Sequence, residues 1–285
     1  MNSDEYREQI RKEVEEELAR QKDSSEAALA SAAPEPTPQD LVQTLADKSE
    51  SANARRAALQ ALQQLAFKVP QFAAIRPAFI EALRTVIDDP DTHLREQAVE
   101  TLAQEKDEYV QRRLLEGLQH KDKKLVDDQK AIQFLGYDVH AEHYPILRKL
   151  AKDSPEAGTR REAVQALAAD PQSADLLYDI YDNKSEDDEV RSASASALMN
   201  VAPAKFEERA KQAVVDESDA EHVRAAALTA LTYFSPEAID KGFVEQVKNV
   251  EAAMAPPDEA LSAASDEEAS PLTKAVRKFR ARYDR

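Results

Sequence analysis

Six copies of one pattern, Arg-x-x-small-apolar-x-small-Leu, recur in phase along this chain, and no other feature constrains its fold as strongly. Five are close matches: Arg55–Leu62, Arg95–Leu102, Arg160–Leu167, Arg191–Leu198 and Arg224–Leu231. A degenerate copy, Asp128–Leu135, fills the gap in the middle. The closing leucines, Leu62, Leu102, Leu135, Leu167, Leu198 and Leu231, are separated by 40, 33, 32, 31 and 33 residues, the length of one helical hairpin each time.

On a helix the small, apolar and closing Leu positions of this pattern share one side, as in an amphipathic stripe. Ala and Ser let a neighbouring helix approach closely, and Leu, Val and Ile fill the space between hairpins. An Arg in the first turn of a helix gains nothing from the helix dipole, which favours anions there, so it needs a partner. Acidic residues precede it in several copies: Asp89 and Asp91 before Arg95, Asp187 and Asp188 before Arg191, Asp219 before Arg224. Charge-assisted bonds between successive turns are therefore expected to set the stacking angle of one repeat on the next.

An acidic turn followed by Val-Arg and a closing Ala-Leu, as at Val190–Leu198 and Val223–Leu231, resembles the HEAT-repeat family, in particular its short bacterial form found in phycobilisome-lyase-like proteins. The resemblance implies an all-α, right-handed α-solenoid of about six hairpins plus a capping helix. It also implies that the second helix of each hairpin lines a concave face. With the small, apolar and Leu positions buried, the first, second and fifth residues after the Arg face that groove. The partner-binding candidates are Arg56, Gln60, Glu96, Glu100, Lys130, Gln133, Arg161, Glu162, Gln165, Ser192, Ser196 and Thr229. The first four repeats offer long polar side chains there, and the last two only Ser, Ala and Thr.

Four regions follow from composition. Residues 1–37 hold an acidic helix over residues 4–29, with Tyr6, Ile10, Val14 and Leu18 in a stripe, and a linker with Pro34 and Pro36. Residues 38–250 hold the solenoid, ending in a half repeat without a second helix. Residues 251–270 are an acidic linker. Residues 271–285 form a basic amphipathic helix, with Leu272, Val276 and Phe279 on one face and Arg277 and Arg280 among its cations. That tail is expected to cover the smooth strip from Ser192 to Thr229.

Several function classes are excluded on these grounds. The formal net charge of −17 opposes a nucleic-acid surface, which needs clustered positive charge. The chain has no Cys and hence no disulfide framework or thiolate metal site. No apolar run has the length of a membrane helix, and Met1–Glu17 lacks a signal-peptide core, so a cytoplasmic protein is expected. Phosphate-binding and nucleophile-elbow motifs are missing. His140, Glu142 and His143 are the one cluster with conceivable ligand chemistry. They are expected to be ordinary loop residues, replaceable by Ala without loss of fold, and no metal or cofactor is assigned. The reading is a non-catalytic scaffold or adaptor for another protein or peptide, monomeric rather than oligomeric. The alternative is a phycobilisome-lyase-like subunit acting on a chromophorylated protein.

Overall fold

The structure, a computed structural model, describes residues 36–66, 69–138, 140–234, 239–254 and 269–283. The helix expected over residues 4–29 and the linker residues 255–268 lie outside the described residues. All regular secondary structure among the described residues is helical. The chain is an all-α solenoid, and it divides into two compact units, residues 1–82 and 83–285.

The first unit opens with α1 (Pro38–Ala46) and α2 (Ala52–Ala66), followed by the short α3 (Val69–Ala73) and the start of α4 (Arg76–Val86), which crosses into the second unit. Thr37 and Asp40 form a capping box, with Pro38 at the first helical position. The box satisfies amides that α1 would otherwise leave orphaned, and Pro38 carries no N–H that would need a partner. Leu45, Leu59 and Leu62 are buried, and the Phe72 and Phe79 rings meet edge to face at 5.5 Å.

In the second unit the first-type (A) helices after α4 are α6 (Glu108–Gln119), α8 (Tyr144–Asp153), α10 (Ala174–Asp182), α12 (Pro203–Val215) and α14 (Lys241–Met254). The second-type (B) helices are α5 (Thr92–Gln104), α7 (Asp128–Leu135), α9 (Ala157–Ala166), α11 (Asp188–Val201), α13 (Glu221–Leu231) and α15 (Pro271–Tyr283). The motif leucines Leu102, Leu135, Leu167, Leu198 and Leu231 are all buried. Leu167→Ala is expected to cost about 2–5 kcal/mol, the range for emptying a core leucine. Because repeats couple mainly to neighbours, hydrogen exchange should rise in α7 to α11 and leave α13 and α15 protected.

Of the acids before the motif arginines, Asp219 bonds across successive turns as expected, to Arg191, and others act differently. They cap helices: Asp91 accepts from Leu94 N–H at 2.7 Å, Asp127 from Lys130 N–H at 2.8 Å and Asp187 from Val190 N–H at 3.3 Å. Four of the motif arginines instead hold a carbonyl near the end of the preceding A helix, where the dipole is negative. Arg95 donates to Asp89 O (2.6 Å), Arg160 to Ser154 O (2.8 Å), Arg191 to Tyr181 O (2.9 Å) and Arg224 to Val214 O (3.1 Å). Three of them also reach the turn of the next repeat: Arg95 to Leu125 O (2.8 Å), Arg160 to Glu186 Oε1 (2.6 Å), and Arg191 to both carboxylate oxygens of Asp219 (2.6 and 2.9 Å).

The A layer has its own links between repeats. Arg84 binds Asp107 and Arg148 binds Asp170, each with a closest approach of 2.5 Å. Asp107 is placed for this by a Schellman turn after α5. Lys106 adopts φ 57°, and the amides of Asp107 and Lys106 bond back to Leu102 O and Ala103 O, both at 3.0 Å.

The C-terminal helix departs most from expectation. α15 makes the most extensive helix–helix contact among the described elements, against α13, and also packs on α14. Leu272, Ala275, Val276 and Phe279 are buried there, and the Phe279 ring meets that of Phe243 edge to face at 5.7 Å. The amide of Leu272 donates to Glu221 Oε1 (3.2 Å) near the start of α13, and the Tyr283 hydroxyl donates to Phe234 O (2.7 Å) beyond its end. The two helices therefore run in the same direction, as successive B helices do. α14 and α15 form a complete seventh hairpin, so the expected half repeat is corrected. The tail also does not lie over the strip from Ser192 to Thr229.

Candidate interaction face

Within the second unit, contacts between successive B helices are more extensive than those between successive A helices. Small residues cause this: Ala193, Ala195, Ala197, Ala225, Ala227 and Ala230 are buried on α11 and α13. The surface of the B layer is where the sequence placed its partner-binding candidates. Gln133, Gln165 and Ser196 are exposed, while Glu96, Glu100, Lys130, Arg161, Ser192 and Thr229 are half-buried. Glu162 is only 9% exposed and is removed from the face by burial. In the first unit, Gln60 is exposed and Arg56 is half-buried, bonded to Asn53.

The charged half of the B-layer face is largely paired with itself. Lys130 Nζ lies 2.8 Å from Glu96 Oε2, and Arg161 contacts Glu189 at 2.5 Å and Glu162 at 3.1 Å. The bond to Glu96 raises the Lys130 pKa, and those to Glu162 and then Glu189 raise that of Arg161. Exposed pairs of this kind contribute about 0–1 kcal/mol, so they set register between repeats more than stability.

Further along, the face becomes apolar. Ser192 donates to Asp188 O (2.6 Å) and Ser196 to Ser192 O (3.2 Å), so both hydroxyls are turned onto their own helix. Between α11 and α13 lies an open groove of about 470 Å³, lined by Ser196, Met199, Asn200, Ala226, Thr229, Ala230 and Tyr233. Tyr233 is 63% exposed, the most of any large hydrophobic side chain among the described residues. Lys278 of α15 stands 5.0 Å from its ring centroid and donates to its hydroxyl at 3.3 Å. Arg282 donates to the neighbouring Phe234 O at 3.4 Å.

Met199, Asn200, Ala230 and Tyr233 were not among the sequence candidates, although their spacing carries a signal. Met199 and Asn200 stand three and four residues after Ser196, and Tyr233 stands four after Thr229, so they prolong the same helical face. The tail residues are placed elsewhere. Leu272, Val276 and Phe279 are core, whereas Arg277 is exposed and the half-exposed Arg280 pairs with Glu251.

A second concavity, of about 390 Å³, opens on the other side of the repeats and is lined by Tyr181, Lys184, Arg191, Arg209, Gln212 and their acidic neighbours. Its cations are matched one to one: Arg191 with Asp219, Lys184 with Asp216 and Arg209 with Asp182. These pairs join one turn to the next and leave no net charge to attract a ligand.

The histidine cluster does not converge. His140 and Glu142 are exposed, His140 Nε2 lies 3.1 Å from Asp138, and His143 is only 1% exposed beneath the His140 ring, with ring centroids 5.3 Å apart. Burial first, then the adjacent His140, lowers the His143 pKa. Among the described residues no group of three or more His, Cys, Asp or Glu side chains stands together as a metal site requires. The expectation that His143 is freely replaceable is corrected, because its ring is part of the packing at the start of α8.

Among the described residues no helix is long and apolar enough to cross a membrane. Comparison with curated proteins finds no match. Among solved structures the chain is similar to human deoxyhypusine hydroxylase in complex with glycerol, at 16% identity and a TM-score of 0.36, over 87% of this chain and 97% of that one. The family model of HEAT repeats matches residues 38–129 and 113–199, together more than half of the chain. With its in-phase hairpins and buried leucine ladder, the chain belongs to the HEAT-repeat family.

Proposed function

We propose that this protein is a non-catalytic scaffold or adaptor that binds another protein on the B-layer face of residues 83–285. HEAT repeats commonly bind protein partners. The observation that carries the reading is the open apolar groove beside the exposed Tyr233 ring, continuous with a row of exposed side chains from Gln133 through Gln165 to Ser196. Contiguous exposed apolar surface rimmed by polar groups is the ordinary mark of an interaction site. The groove's lining holds no carboxylate, histidine, lysine or arginine to act as an acid and base pair.

Affinity capture from native extract tests this with three baits. These are the full chain, the same chain carrying Gln133→Glu, Gln165→Glu and Ser196→Glu together, and a control with Asp179→Arg on the exposed side of α10. A protein retained in stoichiometric amount by the first and third baits, and lost from the second, is the expected result. Equal retention by all three, or no retained protein, contradicts the reading.

A further inference from the structure

We propose that the groove between α11 and α13 docks an acidic amphipathic helix of a partner protein. The inference rests on the reading that the B-layer face binds protein, and it specifies what is bound and where. Its first support is the lining. Met199, Ala226, Ala230 and the Tyr233 ring supply apolar contact, and the Ser196 hydroxyl is already bonded to its own helix. A small-molecule site usually combines an enclosed cavity with several convergent polar groups. Here Asn200 is the sole lining residue with an amide side chain, and one side lies open along two parallel helices. Small side chains along such a channel let a third helix approach closely.

The second support is charge. No residue lining the groove is ionised, but its Tyr233 edge is bounded by α15, which carries five cations and no acid between Pro271 and Tyr283. Among the described residues Lys278 and Arg282 contact neutral acceptors, the Tyr233 hydroxyl and Phe234 O, rather than a carboxylate. This contrasts with Arg161 and Lys130 further along the face, each held by a glutamate. The chain as a whole is strongly acidic, yet at physiological salt a charge is screened beyond about 8 Å. Lys278 and Arg282 stand in contact with Tyr233 and Phe234, close enough to act on a docked helix directly. Its apolar stripe sits against Met199, Ala230 and Tyr233, and its carboxylates meet the two cations.

The test pans a displayed library of random peptides of about sixteen residues, roughly 24 Å long as helices, against the full-length protein. The enriched pool is expected to carry net negative charge with apolar residues three and four apart. A fluorescein-labelled copy of the most enriched peptide should bind the Ser196→Glu protein about ten-fold more weakly, as when one central contact is lost. It should bind Lys278→Gln/Arg282→Gln about three-fold more weakly at low salt, the deficit vanishing at high salt. Both variants alter surface positions, and unchanged thermal melts establish that they fold. A neutral or basic pool, no enrichment, or binding indifferent to Ser196→Glu overturns the proposal. A natural partner captured in the preceding experiment that still binds Ser196→Glu alone, but not the triple variant, would keep the scaffold reading and reject this groove.

Discussion

Replacing Phe279 with Ala is expected to destabilise the C-terminal repeats by about 3–5 kcal/mol, the cost of emptying a fully buried phenylalanine site. Phe279 has 0% exposure, meets Phe243 edge to face at 5.7 Å and lies 4.6 Å from the Tyr283 ring, so the space it leaves is walled by large side chains from two helices. Deleting residues 269–285 should do more, because it uncovers the faces of α13 and α14 together. In a linear array the damage is greatest at the cut and fades with distance. Hydrogen exchange should therefore rise most in α13 and α14, less in α11, and little in α7. The sequence alone suggested a tail blocking the groove, whose removal tightens partner binding. As the second helix of the last hairpin, it should instead weaken binding when removed. Unchanged protection of α13 in the truncated protein would show that the seventh hairpin does not form.

The second large effect is expected at Arg191. Its side chain and that of Asp219 keep 3% and 6% of their exposure, the guanidinium grips both carboxylate oxygens, and its Nε donates to Tyr181 O. Arg191→Ala strands a buried carboxylate and should cost about 3–5 kcal/mol. Lys184→Ala, which breaks the exposed pair with Asp216, should change stability far less, because solvent screens such a pair. The pH dependence separates pairing from simple loss of packing. Burial pushes the Asp219 carboxyl up, but the Arg191 bonds and the Ala220 amide outweigh it and leave the pKa lowered. A lowered carboxylate pKa stabilises the fold above the unfolded value of about 3.9 and loses that contribution as pH falls through the folded value. Without Arg191, burial dominates and protonation relieves the stranded charge. The gap between wild type and Arg191→Ala, measured by urea unfolding, should therefore narrow from pH 7 to about pH 3.5. A gap constant with pH would mean that the pair contributes only packing.

The repeat register was legible because the leucines recur with one helical hairpin between them, and Leu102, Leu135, Leu167, Leu198 and Leu231 all reach the core. The Arg partners were legible in kind and misassigned in position. A sequence shows that an acid precedes each Arg, but only the stacking of turns reveals that Arg191 binds Asp219 of the following turn while Asp187 caps its own helix. The seventh second helix was hidden for two reasons. A long acidic segment interrupts the spacing, and Thr273 stands where the motif has Arg. Yet its burial register is the same. Leu272, Ala275, Val276 and Phe279 repeat the spacing of Val190, Ala193, Ser194 and Ala197. Val276 and Phe279 stand where α11 has the small Ser194 and Ala197, and Phe279 fills its place against Phe243 of α14. The groove escaped notice because Met199, Asn200 and Tyr233 lie beyond the closing leucines, where the motif gives no guidance.

The most direct test of the account is site-specific photocrosslinking in the native extract, with benzoylphenylalanine placed singly at Gln165, Ser196, Asp175 or Asp179. Gln165 and Ser196 are exposed on the B layer, and Asp175 and Asp179 are exposed on α10 in the A layer. A discrete protein adduct is expected from positions 165 and 196 and none from 175 and 179. Adducts from the α10 positions alone, equal adducts from all four, or none from the B layer would contradict it.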